Sequence, residues 1–344
     1  MTPAERANLP RYSGQAPFYE VWFAEVQDAA RDSALWLRYT LAAPSSVPPI
    51  AEVWGMYFDR RVPVRSQALK TTVQLEQAHI ARDRLHLTIA GAELTHYGCR
   101  GELSHGAQRL SWDLSWSEDR LLEHYPFAAM YNGALPRTKV LSPHWDLRAS
   151  GRYGTTDQQF SLEAVPGVQS HIWGTEHARR WIWCHASGFR EDPGAIFEGL
   201  SAEVAVGPFA APPLTLFALH WRGRTFLFNT PRDLLRRNES RTDAKLGSQR
   251  YHPIARWTVG GGDDTVRFRG EIWAQPEHYL GVKYQDPRGG ERFCNHSRLA
   301  NAALEIMEPD KSGGWRVTAQ LTTDGGAALE MGGLDPDPHV EVRV

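Results

Sequence analysis

The sequence predicts an all-β protein whose antiparallel strands close into barrels or stack as sandwiches. Three observations point there. Segments that alternate apolar and polar residues recur along the chain, clusters of Gly, Pro, Asp and Asn separate them at hairpin spacing, and 13 Trp, 13 Phe and 11 Tyr concentrate within them. At 344 residues the chain exceeds what a single core usually supports, so two domains are expected.

FYEVWFAEV (18–26) and ALWLRYTLA (34–42) read as the first two strands, with DAARD (28–32) as the hairpin loop between them. IAEVWGMYF (50–58), RLHLTIAG (84–91), RLSWDLSW (109–116), WDLRASGRYG (145–154) and QQFSLEAV (158–165) continue the pattern. In the second half come RRWIWCHA (179–186), LSAEVAV (200–206), LTLFALHW (214–221), RTFLFN (224–229), PIARWTVG (253–260), TVRFRGEIWA (265–274), YLGVKYQ (279–285), WRVTAQLT (315–322) and HVEVRV (339–344). Helix is scarce: short helices are expected at 2–9, 117–125, 231–238 and 297–307. The turn cluster GFREDPG (188–194) lies near the midpoint and divides the chain into domains 1–190 and 191–344.

A first hairpin centred on its loop sets Glu20 opposite Arg38 and Trp22 opposite Trp36, with Tyr19, Val21 and Phe23 against Leu35, Leu37 and Tyr39 on the other face. Neither face is polar enough for water, so both are expected to be covered. An ion pair beside tryptophans reads either as a structural bridge at a barrel end or as part of a polar pocket.

Composition excludes several functions. The formal net charge of -2 offers no footprint for nucleic acid, and the basic run Arg236, Arg237 and Arg241 is interleaved with Glu239 and Asp243. No apolar run approaches the roughly 18 residues of a membrane span. The opening residues lack a signal-peptide core, so a cytoplasmic location is expected. Cys99, Cys184 and Cys294 are scattered and odd in number, which reads as buried thiols rather than a disulfide framework or a CxxC metal site. VGGGDD (259–264) lacks the lysine of a phosphate loop and reads as a turn, and neither GxSxG nor HExxH occurs.

FYEVWFAEV with SALWLRYTL, and the block VPGVQSHIWGTEHARRWIWCHASGF (165–189), resemble the tocopherol cyclase and carotenoid 1,2-hydratase (hydroxyneurosporene synthase) superfamily, which includes fungal lipocalin-like Diels-Alderases. The WG turn followed by an R-W-x-W strand is the most specific part of the likeness. The resemblance implies two tandem lipocalin-like (calycin) antiparallel β-barrel domains, with an apolar small molecule held in a barrel or between them. It implies no metal and no organic cofactor. The implied chemistry is acid-initiated addition or cyclisation of isoprenoids, or ring closure of polyketide-derived chains. A lipid or metabolite carrier using the same cavity is the alternative.

Protonating an alkene needs a carboxylic acid kept neutral by apolar burial, with π faces to meet the cation. Glu20 and Glu52, each two positions from a tryptophan on its own strand face, Asp146 in SPHWD and Glu176 in WGTEH are the candidates, Asp146 and Glu20 foremost. Each also reads as a salt bridge or turn cap. His171 and His185 are candidates to hydrogen-bond a substrate oxygen, with His171 grouped among the catalytic residues. His171, His177 and His185 together do not have the spacing of a metal site. Trp22, Arg38, Trp54, Trp173, Trp181 and Trp183 are candidate substrate contacts, and the tryptophans read equally as barrel plugs. Asn295 and His296, in the small polar run CNHS (294–297), are candidate hydrogen-bonding residues of a loop lining a site; the alternative is a solvent turn with Ser297 as a helix cap.

Overall fold

The computed structural model describes every residue except 118–119, 204, 207–208, 211–212, 237 and 243–254. Parts of the expected strands at 200–206 and 253–260, and Arg237 and Asp243 of the basic run, lie outside the described residues. Among the described residues two large antiparallel sheets dominate. The first runs from Phe18–Asp28 to Gln159–Gly174, and the second from Arg180–Ala186 to Trp315–Gly333. The chain therefore passes between sheets at residues 175–179, before the 190/191 division expected from the sequence. No helix is long and apolar enough to cross a membrane among the described residues.

Each sheet curls around its own apolar core, giving a lipocalin-like two-barrel fold. The curling of the first brings opposed walls so close that a Cβ on Gly55, in the strand Ile50–Asp59, would lie 2.6 Å from Leu110 Cδ2. A third core joins the sheets, with Phe23, Trp36 and Trp54 of the first meeting Trp183, Val282 and Tyr284 of the second. That core explains the first hairpin, whose strands Phe18–Asp28 and Ser33–Ala43 are buried at every position. One face feeds the barrel interior, the other the seam between sheets.

The hairpin register differs from the expected one. Glu20 pairs with Leu41, Trp22 with Tyr39, Phe23 with Arg38 and Glu25 with Trp36. The loop closes tightly, with Ser33 paired to Asp28 and Asp32 in the left-handed region at φ 53°. The offset is odd, so Glu20 and Trp22 lie on the barrel face while Arg38 and Trp36 lie on the seam face.

Helices form at Pro3–Ala7, with a Thr2–Glu5 capping box, and at Pro231–Arg236. Around 117–125, Leu122–Glu123 is instead a short strand, and the nearby helical turn is Ala129–Asn132. Residues 297–307 belong to the strand Glu291–Pro309, not to a helix. The alanine-rich sequence favours helix locally, but here it sits between Arg267–Ala274 and Trp315–Gly333 with ladder bonds on both sides, and pairing overrides propensity. Asn295 and Ser297 are accordingly ladder residues rather than loop and cap.

The Pro3–Ala7 helix and its tail plug one end of the first barrel. Glu20 accepts the Arg11 and Tyr12 backbone N–H groups at 2.6 and 2.8 Å, and His171 lies 2.8 Å from both Glu20 and the Ala7 carbonyl. Trp22 donates to the Asn8 carbonyl at 3.2 Å. These buried groups clamp the N-terminal segment.

Candidate active site between the two sheets

An aromatic pocket opens on the seam. Tyr19, Val21 and Phe23, then Trp36 and Arg38, form its wall on the first sheet; Trp181, Trp183, Leu200, Tyr284 and Glu330 form the facing wall. Its lining is mostly aromatic and aliphatic with a few polar groups, the make-up of a small-molecule site. The alternation of Phe18–Asp28 and Arg180–Ala186 makes this wall: odd-numbered residues of both strands turn toward the seam.

A buried polar network lies behind the aromatic lining. Arg298 is 0% exposed; its Nε is 2.9 Å from Glu25 and its Nη2 bonds Glu330. Its guanidinium also lies over the Trp36 and Trp183 rings, at 5.3 and 5.5 Å from their centroids. Burial pushes the Glu25 carboxyl up to about 7 against the pull of Arg298. Burial also opposes ionisation of Glu330, but His296 and Arg298 outweigh it and hold that carboxyl well below the usual range.

Hydrogen-bond chemistry orders the next link. Arg298 Nη2 lies 2.8 Å from His296 Nδ1, and Glu330 Oε1 lies 3.2 Å from the same nitrogen; unprotonated, Nδ1 accepts from the guanidinium, and protonated, it donates to the carboxylate. Burial holds His296 below its ordinary value against the pull of Glu330, and its Nε2 lies 2.6 Å from Tyr284 Oη. With the ring proton on Nε2 the histidine donates to that oxygen and the Tyr284 hydroxyl keeps its own proton; with it on Nδ1 the hydroxyl donates to the histidine. Burial raises its pKa well above the ordinary tyrosine value.

Cys294, His296 and Glu330 place three potential metal-ligand atoms within 4.8 Å of one another. Arg298 already bonds two of them. A metal ion there would face a fixed guanidinium charge, so the cluster suits the arginine and not a cation. A second cluster sits deeper: Glu198 meets His124 at 2.6 Å and His185 at 3.2 Å, and accepts from Trp183 at 3.1 Å. Burial opposes its ionisation, yet the histidines draw it down to about 2.

Residues 90–333 match the family described as tocopherol cyclase-like, more than half of the chain. The chain belongs to the tocopherol cyclase-like family. Uncharacterised proteins of two Mycobacterium tuberculosis strains, H37Rv and CDC 1551, are 26% identical to it over 302 residues, covering 87% of this chain and 84% of each of theirs. Its fold is similar to the crystal structure of an AttH protein from Nitrosomonas europaea, with a TM-score of 0.56 and 13% identity over 94% of this chain and 95% of that one. Kievitone hydratase from Nectria haematococca superposes more loosely, with a TM-score of 0.49 and 8% identity over 92% of this chain and 89% of that one. A likeness that loose carries no functional weight.

In this tocopherol cyclase-like protein, three of the residues singled out in the sequence meet in the pocket: Arg38, Trp181 and Trp183. Trp54 stands behind Arg38, its ring centroid 5.3 Å from the guanidinium carbon, and His185 stands behind Trp183 on Glu198. The nominated acids are elsewhere. Asp146 pairs with Arg148 at 3.1 Å and Arg120 at 3.7 Å, because its side chain leaves the seam beside an arginine-rich edge. Glu176 pairs with Arg137, and with Arg288 at 3.7 Å, in the connector between sheets. Glu52 pairs with Lys70 at 3.5 Å and accepts from Trp54 at 3.1 Å. Glu20, His171 and Trp22 serve the N-terminal clamp, and Trp173 packs under Arg11, 5.2 Å from its centroid. Asn295 donates to Asp337 at 2.9 Å, away from the pocket lining.

Glu25, Tyr284, Arg298 and Glu330 escaped the sequence reading, which names His296 as a hydrogen-bonding residue of the run 294–297. The signal for two of them was present as alternation: Glu25 continues the odd-numbered face of FYEVWFAEV, and Tyr284 continues the even-numbered face of YLGVKYQ with Leu280 and Val282. The pairing of Glu25 with Arg298 joins opposite sheets and has no local signature.

The raised Glu25 carboxyl has a testable consequence. Between its ordinary value of 4.5 and about 7 the folded protein holds a proton that the unfolded chain releases, so this group lowers stability as pH rises through that window. His177 and His296, both lowered by burial, act in the opposite sense as pH falls below their ordinary value of 6.5. They are common to wild type and Glu25→Gln. Chemical denaturation at pH 5 and pH 8 should therefore show the variant gaining on wild type by a few kcal/mol at the higher pH. A constant difference across the window would mean that Glu25 is ionised throughout.

Proposed function

We propose that this protein is a cyclase- or hydratase-type enzyme that acts, without metal or organic cofactor, on an apolar isoprenoid or polyketide-like molecule held between its two sheets. Membership of the tocopherol cyclase-like family supports ring closure or addition as the reaction class. The observation that carries the reading is Tyr284, a buried tyrosine on the pocket wall whose oxygen lies 2.6 Å from His296 Nε2; in this reading the Nε2–H tautomer of His296 leaves the hydroxyl proton for a ligand.

The placement of the acids changes the chemistry from that expected of a buried carboxyl. Glu330 is the one carboxylate lining the pocket among the described residues, and its pairing with Arg298 keeps it ionised. A tyrosine raised well above its ordinary pKa is too weak to protonate an isolated alkene, but its neutral hydroxyl can hydrogen-bond a carbonyl or quinone oxygen. Such a bond draws electron density from a conjugated double bond toward that oxygen. An internal hydroxyl then adds to close a ring, or water adds to hydrate it, while the aromatic walls exclude bulk solvent.

The test is incubation of wild type with an organic extract of its own host, followed by mass spectrometry for a captured molecule and its product. A product isomeric with the captured molecule, or heavier by one water, is expected. Leu200→Trp, which fills the pocket from its second-sheet wall, should abolish both capture and conversion. Capture and release of an unaltered molecule would favour a carrier.

A further inference from the structure

We infer that the ligand of this pocket is a monoanion, an apolar molecule bearing one carboxylate or similar oxyanion that Arg38 binds. The inference rests on the pocket being the ligand site, as proposed above. Arg38 is 6% exposed and lines the pocket. Its one hydrogen bond runs from Nε to Thr40 Oγ1 at 2.8 Å, and no carboxylate lies within 4 Å of it among the described residues. A buried guanidinium with no counterion is costly, and its two terminal nitrogens have a fork geometry that matches a carboxylate.

The neighbouring acids are already committed. Glu330 is held by Arg298 and lies 3.2 Å from His296, and Asp286 is held by Arg292 at 3.3 Å and by His177, whose backbone N–H donates to it at 3.0 Å. Aromatic faces support the guanidinium instead: its carbon lies 4.1 Å from the Tyr284 centroid and 5.3 Å from that of Trp54. Those stacking contacts fix the plane of the guanidinium without using its terminal N–H groups. One cation without a paired counterion, beside a Glu330 already bonded to Arg298, calls for one negative charge. A diphosphate, with several charges, would leave most of them unpaired in an apolar site.

The position of Arg38 against the Tyr284 ring also joins the anchor to the reactive hydroxyl. A ligand whose oxyanion reaches Arg38 places its adjoining carbon chain along Phe23, Trp36, Trp181 and Trp183, under the Tyr284 oxygen. The charged end then sets orientation, and the apolar remainder is presented for chemistry.

Quenching of tryptophan fluorescence tests this with three probes that share one isoprenoid chain: farnesoic acid, farnesol and farnesyl diphosphate. Wild type should bind the acid at least 10-fold more tightly than the alcohol. Arg38→Met should remove that preference while still binding farnesol, and Arg38→Lys should retain part of it. Equal affinity of wild type for acid and alcohol overturns the anion anchor and leaves the pocket reading standing. Tighter binding of the diphosphate than of the acid overturns the monoanion. Binding of none of the three overturns the pocket reading and this inference with it. Should Arg38→Met fail to fold, the comparison of probes on wild type decides alone.

Discussion

Tyr284→Phe should lower conversion of the captured molecule by 100-fold or more and leave its capture within a few-fold of wild type. The substitution removes one oxygen and keeps the ring that supports Arg38 and lines the pocket. Loss of a single donor to a developing oxyanion typically costs about 10²–10³ in turnover. A purely structural tyrosine would behave differently, because its loss would weaken binding and turnover together. His296→Gln should fall between the two proteins, since an amide can still donate to Tyr284 Oη but cannot also accept from Arg298 in the same geometry. Single-turnover rates and probe affinities, measured on the same preparations, separate the two effects. Turnover by Tyr284→Phe within 3-fold of wild type would remove the tyrosine from the mechanism.

The largest effect on stability should come from Arg298→Met. Arg298 carries the one positive charge fixed between Glu25 and Glu330, at a seam where Trp36 and Trp183 exclude water. Removing one partner of a buried ionic cluster typically costs about 3–5 kcal/mol, because the charge left behind has neither solvent nor counterion. Denaturant midpoints should report a loss of that order. Arg298→Met combined with Glu330→Gln should recover much of it, since the orphaned carboxylate is then gone. A loss under about 1 kcal/mol for the single variant would mean that water reaches the cluster.

The sequence carried the architecture because β structure is written locally. Alternation and turn chemistry located the strands, and the excess of apolar residues on both faces of FYEVWFAEV anticipated a segment covered on two sides. The motif at 165–189 led to Trp181 and Trp183, and the first hairpin to Arg38, all of which reach the pocket. Reading failed where a decision was not local. An odd register offset, set by a tight turn at Asp32, moved Glu20 and Trp22 into the barrel and Arg38 toward the seam. The segment 297–307 has helical composition, and only its pairing on both sides makes it a strand. Arg298 therefore points into a polar cluster that no helical reading would place there.

The same logic explains why the nominated acids lie away from the pocket. A carboxyl two positions from a tryptophan marks a semi-apolar strand face, but does not say what approaches that face. For Glu20 it is the chain's own N-terminal segment, whose backbone N–H groups satisfy the carboxylate. For Asp146 and Glu176 it is arginine. The group that the proposed chemistry uses on the seam is instead a tyrosine, whose oxygen lies 2.6 Å from His296 Nε2 on the neighbouring strand.

The most direct measurement is a crystal structure of the protein with the molecule it captures from its host. Density between the two sheets, with an oxygen within hydrogen-bond reach of Tyr284 Oη and the apolar portion against Trp181 and Trp183, is the predicted result. Density inside either barrel, with the seam pocket empty, would contradict the central claim that the site is built where the two sheets meet.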